Sequence, residues 1–495
     1  MSSRFYILAC LACIVALSAK PVRAQQPEDQ TQDQSANPNQ NSEQPAQPIP
    51  AIRSPLAGIN GTDQDDQQVT QKTLPDTTPL SSVEPISLGR LPLEHNYIQP
   101  VFEIFTTADS DELSANGNPG WGDFTSFLGG INLRQASGIS DLTLNYLGGG
   151  TISVGGTAGN SALQQLGLNE ALNWQRLKLQ FIEQLSLLPE SSFGYGGLGG
   201  GVALPGGGSI GTQPGLLPGD SVLTTRGLRI TNSFLTEADF SLDPRSSLTV
   251  AGGYSLLHYF DNDFLNFGDT IIQAGYNHQL TRKDTIAVFY RFSGYRYSGF
   301  DQSIDDNSFQ FSYGRRVTGR FSFQVAGGPD LTYVTQPITS TTTATTAPSG
   351  QTREIYWSLS TTAQYQLERT GFGASYSHGV SGGSGVLAGS IADTAQGNVS
   401  RQLARQVNGF FTAGYSHNTG LSVLTTTPTT QKYGYWFAGA GLTRSFGRAV
   451  DLNLNYQLQY QNSNADFCVG PTCQTSLVRH QISVGFNWHR QPIPF

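Results

Sequence analysis

Charge is scarce in this chain of 495 residues: Asp, Glu, Lys and Arg together make up 13%, about half the ~25% usual in soluble domains. Beyond the leader no run approaches the ~18 consecutive apolar residues that a membrane-crossing helix needs, so no such helix is expected. The net charge is -8 and no basic cluster stands out, which excludes nucleic acid as a partner. There is one methionine against 57 glycines, a composition suited to strands rather than helices. Cysteine is equally sparse. Two of the four lie in the leader, and the remaining two, Cys468 and Cys473, flank the turn Gly470–Pro471. That spacing in an exported chain predicts a disulfide across a loop tip. With no second Cys or His pair nearby, zinc is not expected.

What the chain has instead is alternation. In "AVDLNLNYQLQYQNS" (449–463), Val450, Leu452, Leu454, Tyr456, Leu458 and Tyr460 share one parity, and Asp451, Asn453, Asn455, Gln457, Gln459 and Gln461 share the other. A strand sends these sets to opposite faces. Strands of soluble sandwiches are usually nearer five or six residues. A long strand with one apolar and one amide face fits a membrane barrel, lipid outside and water within. The pattern recurs in "REIYWSLSTTAQYQL" and "SLVRHQISVGFNW". One segment fits badly: in "LKLQFIEQLSLL" the parity of Leu179, Phe181 and Leu185 puts Glu183 on lipid, unless a bulge near Ile182 or an interface position relieves it.

The start of the chain reads as a secretory signal: Arg4, an apolar run from Phe5 to Ala19, and a small-x-Ala site at Val22–Ala24. Residues 1–24 are thus assigned as signal peptide, 25–90 as a disordered Gln/Asp/Pro-rich periplasmic segment, and 91–495 as the barrel. Six short polar turns ("DPRSS", "TRKD", "VTGR", "ERTG", "QLAR", "FGR") alternate with long connections, and two further short turns follow Arg134 and Gln175. Eight short turns and nine long connections give about 18 strands, within a range of 16–18, in an all-β, antiparallel up-and-down transmembrane barrel with both termini periplasmic.

The stretches "LPESSFGYGG", "YSLLHYFD", "LTRKDTIAVFYRFSGYRYSGFDQSIDDNSFQFSYGRRVTGR" and "FNWHRQPIPF" resemble an acidobacterial-type family of uncharacterised outer-membrane β-barrel proteins. The likeness runs from about Leu91 to the end and implies fold and location; it carries no functional residue. The outer-membrane barrel-assembly machinery is an expected partner, recognising either the terminal Phe495 or the Phe486–Trp488 strand.

Catalytic motifs are absent. Gly207–Gly211 and Gly379–Gly383 match G-x-S-x-G, but a nucleophile elbow needs a helix to follow and neither stretch offers one. His258, His278, His378 and His480 fall on the apolar parity, with nothing in the sequence to bring Ser and His together. No cofactor is expected. The charges expected to face the lumen are Arg229, Glu237, Asp239, Arg291, Arg316, Glu354, Asp451 and Arg479, sparse and mixed, so ion selectivity should be weak. Two acidic loops, one with Asp261, Asp263 and Asp269 and one with Asp301, Asp305 and Asp306, would suit Ca²⁺ or Mg²⁺ if adjacent; solvated loop charge is the plainer reading.

Eighteen strands ~4.8 Å apart and tilted ~40° give a backbone diameter of roughly 36 Å. Side chains alone do not fill that width. The glycine-rich connection Phe193–Asp220, with Phe193, Tyr195, Leu198, Val202, Leu204 and Ile210, is the expected pore restriction. The function expected is porin-like passage of small hydrophilic solutes by a barrel embedded in outer-membrane lipid. A loop-plugged structural barrel, or an outer-membrane hydrolase, is the alternative. A homotrimer is neither required nor excluded.

Overall fold

The computed structural model describes residues 96–113, 119–154, 161–188, 228–260, 265–298, 302–337, 349–383, 387–421, 431–447, 449–464 and 476–495. The signal peptide, the 25–90 segment, the Phe193–Asp220 connection with all six of its named residues, the Cys468–Cys473 pair, and Asp261, Asp263 and Asp301 lie outside them.

Eighteen long strands follow one another. They are β1 (Tyr97–Leu113), β2 (Pro119–Ser137), β3 (Ser140–Val154), β4 (Ser161–Asn173), β5 (Leu177–Leu188) and β6 (Arg229–Asp243). Next come β7 (Ser246–Tyr259), β8 (Asn266–Gln279), β9 (Asp284–Ser298), β10 (Ser303–Arg316), β11 (Phe321–Pro337) and β12 (Ser349–Gln366). The last six are β13 (Thr370–Ser381), β14 (Ser390–Ala404), β15 (Val407–Gly420), β16 (Lys432–Phe446), β17 (Val450–Ser463) and β18 (Ser476–His489). A two-residue extension, β19 (Ile493–Pro494), follows. Each strand pairs antiparallel with its sequence neighbours, and β18 returns to β1 in register from Val101↔His489 to Asp109↔Gln481, closing the ring. Closure leaves no edge to be satisfied by water, which is what a hydrocarbon environment requires. The alternation read from the sequence therefore corresponds to an 18-stranded up-and-down barrel with eight short turns at one end and nine longer connections at the other.

Burial follows parity. In β17 the odd residues Asn453, Asn455, Gln457, Gln459 and Gln461 are buried, while Leu452, Leu454 and Tyr456 are exposed. The closing seam is stitched from the lumen side. Arg479 Nε donates to both Asp109 oxygens at 3.0 and 2.9 Å, with its Nη2 also on Asp109. Gln481 donates to Asp109 at 3.0 Å, Asn487 to Glu103 at 3.0 Å, and the Thr107 and Ser483 hydroxyls meet at 2.9 Å.

Two departures from simple alternation appear. The lumen is not uniformly polar: Val101, Phe105, Phe124, Leu128, Leu147 and Leu163 pack together on the inner face of β1–β4. These strands carry apolar residues on both faces, so parity alone does not mark their inside. Second, β5 pairs with β4 and β6 through continuous registers, so no bulge rescues Glu183. Ile182 is buried on the inner face beside Leu235, and Glu183 points outward, accepting a hydrogen bond from the Asn232 amide. A carboxylate on the lipid face costs less than the ~2–4 kcal/mol of a midplane Lys or Arg, and the amide offsets part of that.

Candidate functional site: the lumen and its mouth

The outer wall has the surface of a membrane-spanning barrel. Toward the long-connection end, Trp357 stacks on His378 with ring centroids 3.8 Å apart, and Tyr415 packs on Trp436 at 4.1 Å. Toward the short-turn end, Phe321, Tyr365 and Phe372 form a second aromatic belt. Exposed aliphatic and aromatic residues such as Val288, Phe309, Phe311, Ile482 and Val484 fill the height between. Two aromatic girdles about an apolar band are the pattern of outer-membrane-type barrels.

All four histidines expected on the apolar parity point outward. Contrary to expectation, one of them does meet a serine: His278 Nδ1 lies 3.0 Å from Ser246 Oγ. The register explains it, since Ser246 and His278 are direct cross-strand partners on β7 and β8. Ser246 also receives the Tyr276 hydroxyl at 3.1 Å, and nearby Asp243 accepts from the Arg245 amide at 2.7 Å. Among the described residues no carboxylate hydrogen bonds to His278, so the arrangement braces a turn and lacks the third member of a triad. His378 instead bonds Asp393 at 2.7 Å, and the Tyr376 hydroxyl donates to the same carboxylate at 2.8 Å.

Inside, the eight expected lumen charges lie on lumen-facing positions. Arg229, Glu237 and Arg479 are buried; Arg316 is exposed at its strand end. Arg229 donates to the Tyr259 hydroxyl at 3.4 Å, Asp239 accepts from Thr249 at 2.5 Å, Asp451 lies 3.2 Å from His489 Nε2, and Glu354 accepts from the Tyr356 hydroxyl. Parity also brings inward five buried carboxylates outside that set of eight: Glu103, Asp109, Asp269, Asp306 and Asp330.

The described members of the two acidic segments, Asp269, Asp305 and Asp306, do not gather into a cation site; Asp261, Asp263 and Asp301 lie outside the described residues. Asp269, Asp305 and Asp306 belong to strands β8 and β10, not loops. Adjacent residues of a strand face opposite ways: Asp305 points outward and pairs with Arg296 at 2.6 Å, while Asp306 points inward and accepts from Thr332 at 2.7 Å. No group of three or more His, Cys, Asp or Glu among the described residues is close enough to hold a metal.

Among the described residues, a connection that folds inward is the one joining β13 to β14, of which residues 382–383 and 387–389 are described. It folds into the mouth. The Tyr297 hydroxyl of β9 donates to Gly382 O at 2.9 Å, and Gln302 Nε2 donates to Ala388 O at 2.5 Å. Toward the other side, Leu387 packs on Tyr433, Tyr435 and Phe437 of β16. Its base is clamped by the Ser381 and Ser390 hydroxyls, 2.9 Å apart. The described residues of the segment thus touch β8–β10 on one side and β16 on the other. Glycine permits the fit: a Cβ at Gly382 would stand 2.7 Å from Phe267 and 2.8 Å from Tyr295, and Gly383 turns at φ 81, a left-handed conformation that other residues adopt at a cost. Tyr295, Tyr297, Ile304, Val334, Val380 and Leu421 complete an apolar layer at the same level.

Neither a family model nor a curated protein matches this chain. Among solved structures it is similar to OpdQ of Pseudomonas aeruginosa, with 11% identity over 81% of this chain and 100% of that one, at a TM-score of 0.38. The outer membrane protein OpdK of the same organism shares 10% identity over 80% and 100%, at 0.40. OccAB1 of Acinetobacter baumannii shares 10% over 83% and 99%, also at 0.40. These are likenesses of fold. The barrel stands on its own closed strand pairing and not on them.

Proposed function

We propose that the chain is a porin-like passive channel of the outer membrane for small hydrophilic solutes, narrowed at its mouth by the β13–β14 connection. The observation that carries this reading is a lumen lined with amides, hydroxyls and charges along strands whose other faces are apolar. Such a lining solvates small polar solutes without holding them tightly. The long-connection end is then extracellular and both termini are periplasmic. The partners are outer-membrane lipid, the solutes, and the barrel-assembly machinery reading the closing Phe486–Trp488 strand. A single barrel satisfies the reading, and a homotrimer is compatible with it. The chain acts without catalysis, and the acidobacterial-type family remains the proposed kinship.

The β13–β14 segment favours one second reading, a plugged structural barrel, because it already occupies the mouth. Liposome swelling separates the two. Vesicles carrying refolded, heat-modifiable protein should swell in arabinose faster than in raffinose. No swelling in either sugar would favour the plugged barrel.

A further inference from the structure

Beneath the apolar layer of the mouth, the inner faces of β8–β11 carry polar groups with nothing to bind. Asp330 is 0% exposed, and neither of its carboxylate oxygens has a hydrogen-bond partner. Gln273 is 1% exposed and both its amide atoms are unpartnered; one oxygen of Asp269 is unpartnered as well. Asp306 has Thr332 as a donor and lies within electrostatic reach of Asp330. Arg291, directly opposite Gln273 in the β8–β9 register, is the cation within electrostatic reach of both Asp269 and Asp306. Asp269 and Asp306 therefore share one guanidinium, and Asp330 adds a third carboxylate beside Asp306.

A buried carboxylate without donors is costly, and burying like charges together compounds the cost. The seam of the same barrel shows how this chain satisfies a carboxylate when its role is structural: Asp109 has Arg479 and Gln481. On β8–β11, by contrast, both Asp330 oxygens and one Asp269 oxygen engage no donor, although the buried Arg291 Nε and Gln273 Nε2 are themselves unpartnered. We propose that Asp269, Gln273, Asp306 and Asp330, with Arg291 at their edge, form a subsite for a solute bearing an ammonium or guanidinium group.

The geometry favours an organic cation over a metal ion. A metal would need oxygens converging at ~2.3–2.6 Å, and no such group of three exists among the described residues. Asp306 pairs with Thr332 and Asp330 with Ser308, so the two carboxylates are diagonal neighbours, roughly 7–8 Å apart by ordinary sheet geometry. A cation with several N–H donors bridges that gap, one hydrogen bond to each side, and the Gln273 carbonyl accepts a further one. The inference rests on the channel reading for its biological sense, but the subsite itself is testable without conduction.

The test is equilibrium binding of L-arginine to the detergent-folded, full-length mature barrel by titration calorimetry, with L-glutamate and CaCl₂ as parallel titrants. L-arginine should bind and L-glutamate should not. The D306N/D330N double variant, checked for folding by heat-modifiable migration, should bind at least tenfold more weakly. Gln273→Leu, which leaves every charge in place, should weaken binding several-fold. Absence of L-arginine binding by the wild type, equal affinity for L-glutamate, Ca²⁺ binding in its place, or unchanged affinity in a folded double variant would each overturn the proposal. Conductance in planar bilayers, measured separately, reports on the channel reading alone, so the two fail independently.

Discussion

Two parts of the lumen wall hold buried carboxylates and treat them in opposite ways. At the seam between β18 and β1, Asp109 is enclosed by Arg479 and Gln481, and Glu103 by Asn487. On β8–β11, Asp330 and Asp269 retain oxygens without partners. The seam joins the first and last strands, the pairing with the longest loop to close, so side-chain bonds there hold the ring shut. The β8–β11 wall joins strands that are neighbours in sequence and needs no such help. Its charges are therefore left for whatever passes beneath the mouth.

Breaking this contrast should give its largest effect at the seam. Arg479→Met leaves Asp109 buried with its guanidinium gone, and removal of one partner of a buried pair costs about 3–5 kcal/mol. Urea unfolding of the barrel in lipid vesicles, followed by tryptophan fluorescence, should show that loss; a change under about 1 kcal/mol would remove the seam's special standing.

A second effect should appear at the mouth. Replacing Gly383–Gly389 by a short turn uncovers the β8–β11 wall without touching the seam. Single-channel conductance is expected to rise severalfold with the unfolding midpoint unchanged. Equal conductance in a folded variant would place the restriction elsewhere, the Phe193–Asp220 connection being the next region to shorten. The smallest effect has the opposite sign to the first. Asp330→Asn removes a buried charge that has no donor and should raise stability by about 1 kcal/mol. A loss instead would mean that Asp330 is satisfied in the folded barrel.

How much of this was legible in the sequence depended on whether the two faces of a strand differ. In β17 one face is aliphatic and aromatic and the other amide, so period two gives the strand, its orientation and its lumen residues at once. In β16, Trp436 faces lipid while Tyr433, Tyr435 and Phe437 face inward; aromatics on both parities hide the inside. As an acidic run Asp305 and Asp306 read as a loop, yet "SIDDNSFQFSY" already separates them, placing Asp306 with Ser308 and Gln310 and Asp305 with Phe309 and Phe311. Asp330 follows Gly327, Gly328 and Pro329, residues that read as a turn, so its place in β11 came only from pairing with β10 and β12. The inward fold of the β13–β14 connection was the least legible feature. Its fit depends on Gly382 against Phe267 and Tyr295, contacts between segments about 90–115 residues apart, which no local pattern encodes.

The central claim is that this barrel conducts, and single-channel recording of the refolded wild type in planar bilayers with symmetric KCl tests it most directly. The account predicts discrete, ohmic current steps that grow when the mouth segment is shortened. A heat-modifiable, membrane-inserted barrel that passes no current, both as wild type and with the mouth segment shortened, would contradict it.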